Sequence, residues 1–177
     1  MALKLTPDEM HRMTLDEFRE SPKLPLTVVL DNVRSQNNIG SVFRTADAFR
    51  IEQIVLCGIC STPPHREIHK TALGAEDSVA WTYQEDTASC VRSLKERGYN
   101  VFAVEIAHSS LQLGADTLFD GQPLAIVFGN EVDGVQESVI QLCDGSLEIP
   151  QFGTKHSLNV SCAAAIVMWE LTKTMRL

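Results

Sequence analysis

Short apolar runs alternate along the chain with segments whose apolar residues recur at helical spacing. Runs rich in Val, Ile and Leu are predicted to be strands, at 26–30, 54–57, 79–81, 101–105, 124–128 and 147–149. Helical spacing predicts helices at 40–49, 87–97 and 135–143 and a long last helix from Ser157. Strands that alternate with helices indicate an α/β fold, with a mainly parallel sheet and helices on both of its faces.

The first 25 residues are predicted to form an N-terminal helical arm, 1–25. Thr6 and Glu9 have the spacing of a capping box, in which a Thr side chain and a Glu three residues later close the start of a helix. Leu15 and Phe18 would then cover apolar surface of the body or of a partner subunit. The arm is thus expected to be amphipathic, and the prolines that follow it are expected to end it.

Residues 26–177 are predicted to form one domain. A chain of 177 residues with 44% hydrophobic residues can bury one core and is too short for two well-buried ones. No stretch approaches the roughly 20 apolar residues of a membrane span. The N-terminus also lacks the apolar run of a signal peptide. We therefore expect a cytoplasmic protein without a membrane partner.

The five cysteines are expected to be reduced thiols. Their number is odd, and four of them lie in apolar runs, where a thiol behaves as a small hydrophobic group. Cys57 and Cys60 have CxxC spacing. Zinc, however, needs a second pair of ligands, and a redox pair usually stands where a helix begins. Neither function is expected for this pair, and no metal site is predicted.

The net charge of −8 argues against nucleic acid at first sight, because phosphate contacts need Lys and Arg. The distribution of charge changes this picture. Segments 32–46 and 149–169 contain no carboxylate, and segment 65–70 contains only one. The basic residues of these segments include Arg34, Arg44, His65, Arg66, His69, Lys70 and Lys155. A local basic patch on an acidic body is expected, although charges that merely solvate the surface remain the alternative.

Three segments that follow predicted strands are rich in small and polar residues. They are 38–46 (Asn-Ile-Gly-Ser-Val-Phe-Arg-Thr-Ala), 129–134 (Gly-Asn-Glu-Val-Asp-Gly) and 149–161. The turn after the first strand carries neither GxGxxG nor GxxxxGK, so a nicotinamide or nucleoside triphosphate site is not predicted. In residues, order and spacing the three segments resemble the three motifs of the SpoU/TrmH-type RNA 2′-O-methyltransferases of the SPOUT class. The resemblance spans about residues 26 to 174.

This resemblance implies a fold, a reaction and an assembly. The fold would be the SPOUT fold, whose C-terminal segment forms a trefoil knot that the general rule against threaded chains would not predict. The reaction would transfer a methyl group from S-adenosylmethionine to a ribose 2′-hydroxyl of tRNA or ribosomal RNA, without a metal. The family's site is assembled at a subunit interface, so the resemblance also implies a homodimer.

The cofactor contacts implied by the resemblance fall on small and apolar residues. Gly129 lets the backbone approach a ligand closely, and Ile149 and Leu158 could sandwich a flat ring. Ser157 and Asn159 complete the predicted cofactor set. For the glycine, a plain turn is an alternative explanation, and for Ser157 and Asn159 the alternative is N-capping of the last helix. The family usually has Met after Ile-Pro, where this chain has Gln151.

The catalytic residues implied by the resemblance are Arg44, Asn38, Glu131, Ser157 and Asn159. A guanidinium is in effect always charged, so Arg44 is an awkward base and is better suited to clamp an RNA phosphate and stabilise a developing alkoxide. Glu131 is expected to accept backbone N–H bonds at the start of the helix after Gly134.

Three further cations are predicted to contact RNA. They are Arg34, Lys70 and Lys155. Of these, Lys70 and the neighbouring His69 resemble the family's RNA-facing loop, and a solvated turn is the alternative. Two other functions stay open for the chain: a catalytically silent relative that binds RNA or S-adenosylmethionine, and a base methyltransferase of the same fold.

Overall fold

The computed structural model describes residues 3–6, 8–114, 121–155 and 157–175. Within these ranges the strands form one seven-stranded sheet in the order β3-β2-β1-β6-β4-β7-β5, and every paired neighbour runs parallel. The strands are β1 Leu24–Asp31, β2 Ile51–Cys57, β3 Ala80–Gln84, β4 Asn100–Val104, β5 Leu111–Gln112, β6 Leu124–Phe128 and β7 Gly145–Glu148. The predicted parallel α/β sheet is confirmed.

Helices cover both faces of this sheet. They are α1 Leu15–Glu20, α2 Gln36–Ala48, α3 Arg66–Ala72, α4 Ala75–Ser78, α5 Thr87–Glu96, α6 Glu137–Ile140 and α7 Val160–Met175. The buried side chains of α2, α3 and α7 belong to one core cluster. Those of α5 and α6 belong to a second cluster, which lies across the sheet from the first.

The central strand β1 shows why its sequence is a continuous apolar run. Val28 and Leu30 pack in the first cluster, whereas Val29 between them packs in the second. All three are fully buried. A parallel strand that is covered on both faces needs apolar residues at successive positions, not at alternate ones. The run therefore specifies a strand in the middle of a two-faced sheet.

The arm differs from its prediction. Thr6 does bond Glu9 through its backbone N–H and its hydroxyl, at 2.7 and 2.8 Å, but only a three-residue 3-10 helix, Asp8–Met10, stands there. The helix of the arm is α1, which begins after a second Thr-x-x-Glu box at Thr14. Burial selects this second box, because it positions Phe18 in the core at 7% exposure. The division into an arm and a domain at residue 26 stays a prediction, and β1 itself begins at Leu24.

The segment after residue 65 is a helix, so the expectation of a loop at His69 and Lys70 was wrong. His65 caps the start of α3 through a bond from the backbone N–H of Glu67. Ile68 buries the inner face of this helix against the first core cluster. With few apolar residues, the segment gave little helical periodicity. Tertiary packing against α2 decides its conformation.

Candidate functional site

The three motifs meet at one edge of the sheet. Segment 129–134 follows β6, and segment 149–161 follows β7. Segment 38–46 lies in α2, which the loop from Asn32 to Ser35 connects to β1. Because the strands are parallel, their carboxyl ends lie at the same edge, where open α/β sheets bind ligands. The sheet therefore assembles motifs that are far apart along the chain.

Side-chain hydrogen bonds join the three motifs directly. The amide Nδ2 of Asn159 donates to Oδ1 of Asn38 at 3.1 Å, across 121 residues of chain. The amide Nδ2 of Asn38 donates in turn to Oε1 of Glu131 at 2.8 Å, across 93 residues. One residue from each motif thus takes part in a continuous relay from Asn159 through Asn38 to Glu131.

Glu131 holds a different loop from the one predicted. Its Oε2 accepts from the backbone N–H of Arg34 at 3.4 Å, so the carboxylate fixes the loop before α2 and not the helix after Gly134. Partial burial raises the pKa of Glu131, but the bonds from the Asn38 amide and the Arg34 and Ser35 backbone outweigh burial and bring the pKa below its ordinary value. The carboxylate is therefore ionised at neutral pH.

Asn159 also caps the last helix. Its Oδ1 accepts from the backbone N–H of Ser161 at 2.9 Å and of Cys162 at 3.4 Å, which satisfies two donors of the first turn of α7. Its other side-chain atom, Nδ2, reaches Asn38, so the cap and the motif contact coexist. Ser157 is exposed and makes no hydrogen bond within the described residues. The capping alternative thus fits Asn159 but not Ser157.

A cavity of 320 Å³ lies beside this relay. Four of the five predicted cofactor residues line it, namely Gly129, Ile149, Ser157 and Leu158. The fifth, Asn159, is not part of the lining, and it stands next to Leu158 with its side chain turned to Asn38. Gln151, the departure from the usual family motif, lines the cavity as well.

Gly129 is required by its own loop. A Cβ atom at this position would lie 1.9 Å from the carbonyl carbon of Gly134 and 2.1 Å from the backbone N of Val135. Residues 130 and 134 form an antiparallel bridge that closes the loop over this point. The close approach that the sequence suggested is therefore an approach of backbone to backbone, and space for a ligand is a second consequence.

Glu105 is a site residue that the sequence analysis missed. It follows β4 and lines the cavity. Its Oε1 accepts from the backbone N–H of Ile106 at 3.0 Å, and its Oε2 accepts from that of Val135 at 3.2 Å. The carboxylate thus fixes the end of the second motif against β4. An acid at the end of a predicted strand was the available signal.

Asp31 is a second residue that was missed. It is fully buried at the end of β1. Its Oδ1 accepts from the hydroxyl of Thr87 at 2.6 Å and from the amide of Asn32 at 2.8 Å, and its Oδ2 accepts from the backbone N–H of Gln136 at 3.1 Å. The carboxylate therefore joins β1 to the starts of α5 and α6.

The predicted catalytic and RNA-binding cations lie on different elements. Arg44 is exposed on α2, and within the described residues it forms no hydrogen bond or ion pair. Arg34 and Lys155 are exposed in the loops after β1 and β7, and Lys70 on α3 stands 3.6 Å from Glu67. The cations are thus accessible, and the role of each remains a prediction.

No cluster of three or more His, Cys, Asp or Glu side chains suited to a metal occurs in the described part of the chain. Cys57, Cys60 and Cys90 are buried, Cys143 is half-buried and Cys162 is exposed, and all five are free thiols. The Cys60 thiol donates to the carbonyl of Leu30 at 3.3 Å. Among the described helices, none is long and apolar enough to cross a membrane.

Comparison with known proteins decides the family. The model of the SpoU rRNA Methylase family matches residues 25–169. The chain belongs to the SpoU rRNA methylase family. The family predicted from the three motifs is thereby confirmed.

Two curated relatives show the range of SpoU enzymes that resemble this chain. A tRNA (guanosine(18)-2′-O)-methyltransferase of Thermus thermophilus is 31% identical, over 92% of this chain and 81% of that protein. A 23S rRNA (guanosine-2′-O-)-methyltransferase, RlmB, of Vibrio parahaemolyticus is 31% identical, over 93% of this chain and 66% of that protein. The chain spans less than two thirds of the second relative.

Solved SpoU structures share the fold. A TrmH/SpoU tRNA modifying enzyme of A. aeolicus matches 90% of this chain and 80% of its own with a TM-score of 0.80, at 24% identity. An AdoMet-bound rRNA methyltransferase of Sinorhizobium meliloti matches 92% of this chain and 60% of its own with a TM-score of 0.79, at 26% identity. The trefoil knot is implied by the family and stays a prediction, because strand order alone does not establish threading.

Proposed function

We propose that this SpoU domain is an S-adenosylmethionine-dependent methyltransferase that acts on a ribose 2′-hydroxyl of tRNA or ribosomal RNA. The observation that carries the proposal is the relay of hydrogen bonds from Asn159 through Asn38 to Glu131, which brings all three motifs to one cavity. The names of the Thermus and Vibrio relatives, both ribose 2′-O-methyltransferases of RNA, support the same reaction.

The cavity suits S-adenosylmethionine in size and lining. Its 320 Å³ lies within the range of small-molecule sites, which run from about 300 to 1,000 Å³. Ile149 and Leu158 provide apolar surface for a flat base, and Glu105 and Glu131 provide negative charge for a cationic ligand. When bound, this cofactor supplies a methyl group on a positively charged sulfur, which leaves as a neutral thioether.

The protein must position the ribose hydroxyl, which is the nucleophile, and allow its proton to be removed. A ribose hydroxyl does not ionise unaided at neutral pH, so its oxygen needs a positive group as charge develops on it. Arg44 is exposed and has no partner within the described residues, so its guanidinium is available to clamp an RNA phosphate and stabilise the alkoxide. The phosphate that Arg44 clamps is an anion and can take the proton, whereas transfer to the arginine would require its guanidinium to lose a proton first.

Asn38 and Asn159 act in this proposal as positioning residues. The side-chain amide of Asn159 donates to the side-chain oxygen of Asn38, and the side-chain amide of Asn38 donates to Glu131. This arrangement fixes α2, the helix of Arg44, relative to the cavity. The exposed hydroxyl of Ser157, which makes no bond within the described residues, is left for the cofactor or the ribose.

We also propose a cytoplasmic homodimer. Large apolar side chains stand exposed near the cavity and on α7, including Phe152 at 96%, Val132 at 75% and Trp169 at 53%. Aromatic side chains such as those of Phe152 and Trp169 are enriched in the buried centres of interfaces. The free thiols match a reducing compartment. Sedimentation of a stable monomer at micromolar concentration would contradict the dimer.

The proposed reaction is tested with labelled cofactor. The protein is incubated with methyl-labelled S-adenosylmethionine and bulk tRNA or ribosomal RNA, and the RNA is digested to nucleosides. Label on ribose is expected. Label on a base would select a base methyltransferase instead. Binding of the cofactor without any transfer would select a catalytically silent relative.

A further inference from the structure

A second pocket, the outer pocket, lies far from the cavity along the sheet. It is bordered by β3, the edge strand, and by the starts of α3 and α4, and its volume is 510 Å³. Its lining includes His65, Arg66, His69, Glu76, Asp77 and Trp81. The pocket thus combines an aromatic ring, carboxylates and a cation.

Glu76 in this pocket is incompletely bonded. Its side chain is 8% exposed, and Oε1 stands 2.5 Å from Nδ1 of His69. The other oxygen, Oε2, is buried and accepts no hydrogen bond within the described residues. A buried carboxylate oxygen without a donor is unfavourable, because it has lost water and gained nothing in return. A ligand that brings hydrogen-bond donors would relieve this cost.

The surroundings of Glu76 are able to admit such a ligand. The side chain of His69 is 69% exposed, so turning it towards solvent opens the carboxylate at little cost in packing. Trp81 is half-buried in the wall and packs its inner edge on the core. Arg66 is 94% exposed, and its nearest acid, Glu67, is 4.0 Å away. Its charge is available to an anionic group at the mouth of the pocket.

We propose that the outer pocket binds a guanine nucleotide of the RNA substrate, away from the methylated ribose. A nucleotide has three groups that match the side chains of the pocket: a flat base for Trp81, hydrogen-bond donors for Glu76 and a phosphate for Arg66. Guanine is favoured, because its Watson–Crick edge presents two adjacent donors, N1–H and N2–H, that match the two oxygens of a carboxylate. The proposal rests on the proposed function for its substrate class.

The connection between α3 and α2 supports a path for RNA between the two sites. The hydroxyl of Thr71 donates to the carbonyl of Asn37 at 2.9 Å, next to Asn38 of the relay. Gly40 allows α2 and α3 to pack closely, since a Cβ atom at this position would lie 2.3 Å from the carbonyl oxygen of Ile68. The helix α3, which carries Lys70 and begins at the outer pocket, is therefore packed directly beside the relay.

The first test measures nucleotide binding without any methyl transfer. Guanosine, adenosine, cytidine and uridine 5′-monophosphates are titrated while tryptophan fluorescence is recorded. Quenching by the guanosine nucleotide at an affinity about tenfold above the others is expected, the scale of one bidentate contact. Trp81→Phe should remove the signal, Glu76→Gln should remove the preference, and the matched control Glu85→Gln should change neither.

Three results of this titration would overturn the proposal. They are no quenching, equal quenching by all four nucleotides, and a preference that survives Glu76→Gln. Thermal unfolding checks that the variant is folded, and Glu76→Asp serves in its place if it is not. A change of sedimentation on Glu76→Gln with unchanged nucleotide binding would assign the pocket to a second copy of the chain.

The second test uses RNA and separates this proposal from the proposed function. Glu76→Gln should raise the KM for RNA about tenfold and leave kcat and cofactor affinity unchanged, since the contact is remote from the reacting atoms. An unchanged KM would overturn the role in RNA recognition. If the wild-type protein methylates no RNA but still prefers the guanosine nucleotide, the proposed function fails and the outer pocket stands.

Discussion

The cavity and the outer pocket differ in what builds them. The cavity is lined by the ends of β4, β6 and β7 and by the segments that follow them, including the loop from Gly129 to Gly134, and its motifs are held by bonds across 93 and 121 residues of chain. The outer pocket is shaped by the side chains of α3, α4 and β3, all within residues 63–81. A site built from glycine-rich turns leaves a recognisable motif, whereas a site built from single side chains does not.

This difference predicts how the two regions respond to mutation. In the cavity, backbone geometry is critical, so a small added group should be costly. In the outer pocket, the hydrogen-bonding groups and charges of single side chains are critical. An isosteric change should therefore alter the selectivity for the ligand and have little effect on stability. The variants below are ordered from the largest expected effect to the smallest.

Arg44→Ala should have the largest effect. Methyl transfer should fall by roughly two orders of magnitude or more, the scale for removal of one preorganised electrostatic group, while cofactor affinity stays nearly intact. Arg44→Lys should rescue little if a planar fork is needed. Single-turnover assays measure the loss, and Arg92→Ala on the opposite face of the sheet is the matched control. Normal turnover by Arg44→Ala would remove the residue from the mechanism.

Gly129→Ala should disrupt the cavity through the backbone. The added Cβ would meet Gly134 at 1.9 Å, so the loop must move, with a stability loss of about 1–3 kcal/mol for overpacking. Cofactor binding should fall with it. Calorimetric titration and thermal unfolding measure both effects. Gly153→Ala is the control, because its Cβ meets nothing within 4 Å. Equal effects at both glycines would break the distinction between the two regions.

Glu131→Gln should cost a moderate amount of stability that depends on pH. The pKa of this carboxyl is lowered in the folded state, so its contribution is present above the ordinary value of 4.5 and is lost as pH falls through the folded value. The difference in Tm between wild type and variant should therefore shrink in acid. Glu96→Gln, exposed on α5, is the control. A difference that grows in acid would contradict the assigned contacts.

Cysteine labelling should have the smallest effect and should map accessibility beside the cavity. Burial raises the pKa of Cys60 to about 11 and that of Cys143 to about 12, so both should resist iodoacetamide at pH 8. Cys162, exposed in the first turn of α7, should react first. Mass spectrometry of the native protein measures the order, and Cys162→Ser should remove the fast phase. Rapid labelling of Cys60 would mean that the sheet opens.

The sequence by itself determined the fold class, the family and several residues of the cavity lining. Continuous apolar runs specify strands covered on both faces, as in β1, because a strand that is buried on both faces needs apolar residues at successive positions. Each motif is a continuous segment that can be recognised in the sequence, because turns that bring backbone close to backbone need small residues in a fixed order. The resemblance to the family therefore predicted Gly129, Ile149, Ser157 and Leu158 as cofactor contacts, and all four line the cavity.

Tertiary structure alone decided which groups meet. Glu131 was expected to hold its own loop, and it holds the loop before α2, since β6 lies beside β1 in the sheet. The same strand order gives Glu105 and Asp31 their partners. Burial of Phe18 decides which of the two Thr-x-x-Glu boxes begins an α-helix, and it is the one at Thr14. The sequence records the period of each element. It does not record which element comes to lie next to it, and the contacts of single side chains depend on that neighbour.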